Sequence, residues 1–311
     1  MKVTVSVKGM VLIMRKGIAR IVSVFMIAAV MTVSVGSAPV SSAETVILPT
    51  DASGTLVEKN DSCIIDYSDT ASGYVNVRYI ENTDKTIKAQ VIKDGVTYTY
   101  TIRNNRNEVL PLTEGNGNYE VKILKNVSGA SYAVVLTASF SASLSDEFQP
   151  YIRPNQYVDY NTTTKCVKKA ESLCKKAKTD LAKVKKIYSW VIKYFKYDNA
   201  KAKTVQPGYF PILDTVYDSK KGICFDYAAT MTGMLRSQGV PVKLVIGYTG
   251  SEYHAWVNVF SKKKGWITGA IYIAGNKWKL MDPTYASTGK SSKSIMKYIN
   301  NTNNYQKKYS Y

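Results

Sequence analysis

Gly222-Ile223-Cys224-Phe225-Asp226-Tyr227-Ala228 opens the stretch whose reading decides the fold. From Cys224 to Gln238 the chain reads as a helix, with Gly239 suited to its C-terminal cap and Pro241 as its stop. Strands are expected next, at Val242 to Tyr248, His254 to Phe260, Ala270 to Ala274 and Trp278 to Met281. A helix that carries a cysteine at its start and runs on into a sheet predicts an α+β catalytic domain. Gly222 lets the preceding loop approach tightly and leaves room for a substrate.

The chemistry follows from scarcity. His254 is the single histidine of the chain. A thiol nucleophile needs a base that takes its proton near neutral pH, and imidazole is the usual one. Among four cysteines, Cys224 has the best setting, because the unpaired N–H groups and macrodipole of a helix start favour a thiolate. Thiols so placed beside an imidazolium titrate at about 3.5–7.5, against about 8.5 when free. Asp282 fits the third role, orienting the imidazole. It ends the apolar run Trp278-Lys279-Leu280-Met281 and precedes Pro283. Two neighbouring antiparallel strands would bring Asp282 to His254 across a separation of 28 residues. Taken singly, each residue has an ordinary structural explanation: a small buried thiol, a histidine before an apolar strand, an aspartate in a turn. Their order and context favour a Cys224–His254–Asp282 triad.

These blocks resemble the transglutaminase-like superfamily. Gly222 to Ala228 is similar to its nucleophile motif, and Leu235-Arg236-Ser237-Gln238-Gly239-Val240-Pro241-Val242-Lys243 to the helix exit after it, with Gly247-Tyr248 at the strand end. Tyr253-His254-Ala255-Trp256-Val257 resembles the histidine block, and Trp278 to Thr284 the aspartate block. Upstream, Ile187-Tyr188-Ser189-Trp190-Val191 and Phe195-Lys196-Tyr197-Asp198 resemble the helix that precedes the core. The resemblance covers roughly residues 165–290. It implies a papain-like fold and thioester chemistry: Cys224 attacks an amide, His254 carries the proton to the leaving amine, and Asp282 holds the imidazole. The Cys224 backbone N–H would be one oxyanion donor, with Gln206 or Tyr209 as the second. Asp226 and Tyr227 read as helix-start and packing residues. The sequence departs from a direct hairpin between the last two blocks by the insertion Ser261-Lys262-Lys263-Lys264-Gly265-Trp266 and the segment Ala270 to Ala274.

The first half of the chain is different. Residues 1–43 read as a signal peptide. Lys2, Lys8, Arg15, Lys16 and Arg20 precede an apolar run from Ile21 to Val35, and Ser41-Ser42-Ala43 fits a cleavage site, with Ala38 as an alternative. That run is short for a membrane span of about 20 residues, so no stable membrane anchor is expected after cleavage. Residues 44–148 predict an all-β domain of immunoglobulin-like sandwich type. Its strands are Tyr74 to Ile80, Thr86 to Val91, Val96 to Ile102, Tyr119 to Leu124 and Tyr132 to Ala138, with turns at Asp94-Gly95, Gly115-Asn116-Gly117 and Ser128-Gly129. No constellation in it looks catalytic, and its expected role is positioning or binding. Asp146 to Tyr160 reads as a linker with Pro150 and Pro154, and residues 149–311 form the catalytic domain. An apolar face at Leu181, Val184, Ile187, Tyr188, Val191, Ile192 and Phe195 predicts a helix there. The tail from Lys290 to Tyr311 is polar and could pack as a final strand or helix, or be partly disordered.

Charge is uneven. Residues 44–150 carry 9 Lys/Arg against 14 Asp/Glu, and residues 151–311 carry 28 against 9. A basic exported protein meets anionic surfaces, so an anionic cell-envelope polymer is an expected partner beside the protein or peptide substrate. No nucleic-acid motif is present, and no nucleic acid is expected. One histidine and scattered cysteines give no zinc spacing, so neither metal nor cofactor is expected. Cys166 and Cys174 lie about 12 Å apart if one straight helix holds both, too far to bridge. A bend would let them pair, and Cys63 could pair with either. Cys224 should stay free. The reading is an exported cysteine hydrolase or acyltransferase acting on amide bonds, with protease or amidase favoured over cross-linking. The alternative is a cell-surface binding or structural module on the same fold.

Overall fold

The computed structural model describes residues 45–262, 265–267, 271–274, 277–280 and 302–311. The expected signal peptide lies outside them, and so does Asp282. The chain runs β1 (Val57–Lys59), β2 (Cys63–Asp66), β3 (Tyr74–Tyr79), β4 (Ile87–Lys93), β5 (Val96–Ile102), β6 (Glu108–Pro111), β7 (Gly117–Ser128) and β8 (Ser131–Ala142). It continues through α1 (Lys165–Cys174), α2 (Asp180–Tyr194), β9 (Lys196–Tyr197), α3 (Asn199–Thr204), α4 (Leu213–Ser219), β10 (Lys221–Gly222) and α5 (Cys224–Arg236). The last elements are β11 (Val242–Thr249), β12 (Glu252–Ser261), β13 (Gly265–Ile267), β14 (Ile271–Ala274), β15 (Lys277–Leu280) and β16 (Tyr305–Ser310). Helices and strands are mixed along the second half, so the fold is α+β.

The eight N-terminal strands form two antiparallel four-stranded sheets, ordered β1-β2-β3-β6 and β5-β4-β7-β8. Alternation directs their apolar side chains inward. Val75, Val77 and Tyr79 of β3 share one core with Ala89 of β4, Tyr100 of β5 and Val121 of β7. Asp94 and Gly95 both have positive φ, 47° and 80°, which a two-residue turn needs to match the strand twist between β4 and β5.

In the second half, α5 is the central element. Every residue from Asp226 to Arg236 is buried, because α1, α2 and α4 pack on one side of it and β11 and β12 on the other. The sheet order is β13-β12-β11-β16, all antiparallel. The polar tail therefore supplies an edge strand, and its final Tyr311 is buried. Gly247 of β11 lies where β16 shifts register, and a Cβ there would run into the Gln306 carbonyl. The α5 helix ends at Arg236, short of the expected Gln238, with Gly239 at φ 73° closing it.

The described residues belong to one compact unit, and the stretch expected as a linker is packed down within it. Tyr151, Asn155, Gln156, Val158 and Tyr160 are all buried. Gln156 Nε2 donates to the Thr101 carbonyl at 2.8 Å, and Gln156 N–H to the Val109 carbonyl at 3.0 Å. The strand β5 forms the edge of its sheet, and the second half covers it. Tyr98 and Tyr100 pack ring to ring with Tyr157, Tyr309 and Tyr311 at centroid distances of 5.1–5.8 Å. All four cysteines are free, and Cys166 and Cys174 lie in the single helix α1.

Candidate active site

Cys224 occupies the first position of α5, after Ile223 in extended conformation (φ −90°, ψ 177°). The helix starts here because Asp226 reaches back. Its Oδ2 accepts the Ile223 backbone N–H at 2.8 Å, satisfying an exposed donor of the helix start. The carboxylate is fully buried, and two further groups compensate its charge. Tyr209 Oη donates to Oδ1 at 2.5 Å, and Lys201 Nζ pairs with Oδ2 at 2.7 Å. Lys201 also donates to the Tyr209 hydroxyl. Gly222 is required by the same arrangement, since a Cβ on it would stand 2.5 Å from Asp226 Cβ.

His254 lies on β12, opposite Gly247 of β11 and mostly buried, with its ring stacked near Trp256 at a centroid distance of 6.4 Å. Because α5 packs on β12, Cys224 and His254 open into one cleft of about 380 Å³. Thr99 of β5, the segment Val205 to Tyr209 and the tail tyrosines Tyr309 and Tyr311 contribute other walls. The cleft thus draws on both halves of the chain. Among the described residues β13 neighbours β12, and β15 pairs with β14 in a separate ribbon, while Asp282 lies outside the described residues. The insertion between the two blocks supplies β13.

The sequence model of the transglutaminase-like superfamily matches residues 167–269, a stretch that contains α5, Cys224 and His254. Residues 167–269 belong to the transglutaminase-like superfamily. Over 86 residues the chain is 30% identical to a protein-glutamine gamma-glutamyltransferase of Pseudomonas aeruginosa, covering 23% of this chain and 11% of that protein. Over 115 residues it is 30% identical to the human kyphoscoliosis peptidase, covering 37% of this chain and 17% of that one. The chain therefore spans less than a fifth of the length of these relatives. Among solved structures, similarity is found to the periplasmic domain of TgpA from Pseudomonas aeruginosa, at 15% identity, TM-score 0.35 and 77% of either chain. Red sea bream transglutaminase is similar at 12% identity and TM-score 0.32, over 73% of this chain and 53% of that one.

In this transglutaminase-like domain the two expected oxyanion side chains are otherwise engaged. Tyr209 holds Asp226, and burial together with that hydrogen bond pushes its phenol up. Gln206 lines the cleft but donates Nε2 to the Thr204 carbonyl at 2.9 Å. Asp226 is a buried anchor of the start of α5 as well as a helix-start residue, which its spacing alone did not show. Tyr197 and Tyr253 also line the cleft. Burial first, then the proximity of Cys224, pushes Tyr197 up to about 12. Tyr253 is shifted upward by burial and by surrounding tyrosines, with Cys224 adding to it. Among the described residues, no group of three or more His, Cys, Asp or Glu side chains is placed to hold a metal ion.

Proposed function

We propose that this chain is an exported cysteine-dependent enzyme that cleaves or transfers amide bonds of protein or peptide substrates through a thioester. The observation that carries it is the shared cleft of Cys224, at a helix N-terminus, and His254. In this reading the thiolate attacks the amide carbonyl and the imidazolium protonates the leaving amine. Asp282 orients His254, and water or a second amine resolves the thioester. Water is the favoured acceptor because it is abundant outside the cell and no device for an amine is evident in the sequence. Relatives named as a glutamyltransferase and as a peptidase agree with either branch of one chemistry.

Export rests on the basic and apolar pattern of residues 1–43. Among the described residues, no helix is long and apolar enough to cross a membrane. The two N-terminal sheets, packed about a common core, support an immunoglobulin-like sandwich. The excess of Lys and Arg after residue 150 supports contact with an anionic envelope polymer.

The test is alkylation of wild type and His254→Ala with iodoacetamide across about pH 5–9, the range in which a thiolate–imidazolium pair departs from a free thiol. Peptide mapping should show Cys224 alkylated at the acid end far faster than a free small-molecule thiol, and falling to the free-thiol rate without His254. An unreactive Cys224 would leave the binding-module reading in place of the enzyme.

A further inference from the structure

The thioester reading needs a second donor for the oxyanion, and the structure offers one that the sequence motifs did not single out. Tyr197 lies on β9, which pairs in parallel with β10 so that Tyr197 stands in register with Gly222, two residues before the nucleophile. The pairing is anchored on both sides: Lys196 N–H donates to the Lys220 carbonyl at 2.8 Å, and Asp198 N–H to the Gly222 carbonyl at 2.9 Å. Its side chain lines the same cleft as Cys224 and His254. Among the described residues its hydroxyl has no hydrogen-bond partner. The Tyr209 hydroxyl is held by Asp226 and Lys201, and Gln206 by Thr204. Tyr253 is 58% exposed, at the solvent side of the cleft.

We propose that Tyr197 is a further catalytic residue, whose hydroxyl joins the Cys224 backbone N–H in donating to the oxyanion formed when Cys224 attacks a substrate carbonyl. This assignment rests on the acyl-transfer reading above. As the C–S bond forms, the carbonyl π pair moves onto oxygen, and Tyr197 and the Cys224 N–H stabilise that charge without giving up their protons. When the intermediate collapses, the pair returns, the C–N bond breaks, and the amine leaves with the imidazolium proton. The raised phenol keeps Tyr197 protonated, and so a donor, throughout the physiological range. The first turn of α5 leaves the Cys224 N–H without an intrahelical acceptor, so it is available for the same oxygen.

The test compares two reactions of Cys224 in wild type and Tyr197→Phe, which removes only the hydroxyl. p-Nitrophenyl acetate acylates the thiol through an oxyanion, and iodoacetamide alkylates it at a tetrahedral carbon without one. The expected result is a fall in the nitrophenolate burst rate on the order of 10²-fold, with alkylation at the wild-type rate and an unchanged thermal midpoint. Wild-type acylation by Tyr197→Phe overturns the proposal. So does a parallel loss of alkylation, which would mean that Tyr197 acts on the thiol or the fold. If wild type is alkylated at Cys224 yet shows no burst, the acyl-transfer reading itself fails, and the assignment with it.

Discussion

The Tyr209 hydroxyl donates to the Asp226 carboxylate at 2.5 Å, tying the segment that walls the cleft to the first turn of the helix that carries Cys224. Asp226 is fully buried and Lys201 only partly, so removing the charge leaves Lys201 with a route to solvent, while the single amide oxygen can keep the Ile223 N–H and the amide NH2 then faces the Tyr209 hydroxyl. Asp226→Asn should therefore cost on the order of 2 kcal/mol, the range for hydrogen bonds to charged groups, with Tyr209→Phe costing less. Urea midpoints of the two variants and their double should be clearly non-additive, as expected for partners in one network. Strict additivity would mean that Tyr209 and Asp226 act independently.

How much of this was legible in advance depends on which residues had local signals. The helix at Cys224, its capping glycine and the strand at His254 were readable because period, turn chemistry and the stop at Pro241 agree. The strand β6 was not, since Glu108 puts a carboxylate at a buried position and a polar run, Asn104 to Asn107, precedes it. Only in the fold does Arg103 reach it, with Nε and Nη2 at 2.5 and 2.8 Å from its two oxygens. The packing of residues 149–160 was hidden for a similar reason: Pro150 and Pro154 signal a break, yet buried Tyr151, Val158 and Tyr160 act through long-range contacts. Tyr197 carries no motif signal for catalysis, and its place in the cleft comes from the two-residue pairing of β9 with β10.

The other three thiols should be silent in the native state. Cys63, Cys166 and Cys174 are fully buried, and burial pushes them up to about 11, 12 and 11. Native protein should give iodoacetamide modification at Cys224 alone, with the rest reacting only in denaturant. A stability consequence follows. Their folded values lie above the unfolded one of about 8.5. Their neutral forms thus contribute stability that is fully present below that value and is lost as pH rises toward about 11–12. The urea midpoint should fall through this window, and Cys166→Ala should fall less steeply. An identical slope in the two proteins would show that the thiol is not a source of the loss.

Arg236, the last residue of α5, is fully buried and, among the described residues, donates to backbone oxygens: Val242 at 3.1 and 2.7 Å, Tyr311 at 2.7 Å and Arg153 at 2.7 Å. Burial lowers its guanidinium to about 10. One planar group thus joins α5 to β11, to Tyr311 after β16 and to the segment between the two halves. Arg236→Met fills the volume but leaves the buried Val242 carbonyl without its donor and takes one from the part-buried Arg153 carbonyl, while the Tyr311 oxygen keeps the Leu244 N–H at 2.9 Å. The variant should lose on the order of 2 kcal/mol in urea denaturation, since an unpaired buried acceptor costs about 1–3 kcal/mol. Arg236→Lys should not recover it, because an ammonium lacks the fork that spans three acceptors. Full recovery by lysine would show that charge, not shape, is what the site requires.

The cleft depends on the N-terminal sheets. Thr99 forms part of its wall, and a Cβ on Gly208 would stand 3.1 Å from Thr101 Oγ1. The Arg103 guanidinium lies 4.7 Å from the Phe210 ring centroid, and Tyr98 and Tyr100 pack on the tail rings. Residues 149–311 expressed alone would expose Tyr157, Tyr309 and Tyr311 and free the Val205–Tyr209 segment from β5. That fragment should unfold without a cooperative transition, bind a hydrophobic dye, and lose the preferential alkylation of Cys224. The coupling is chemical as well as structural, because Tyr209, which buttresses Asp226 at the helix start, belongs to the same segment. Cooperative unfolding of the fragment with Cys224 still preferred would show instead that residues 149–311 build the cleft without help.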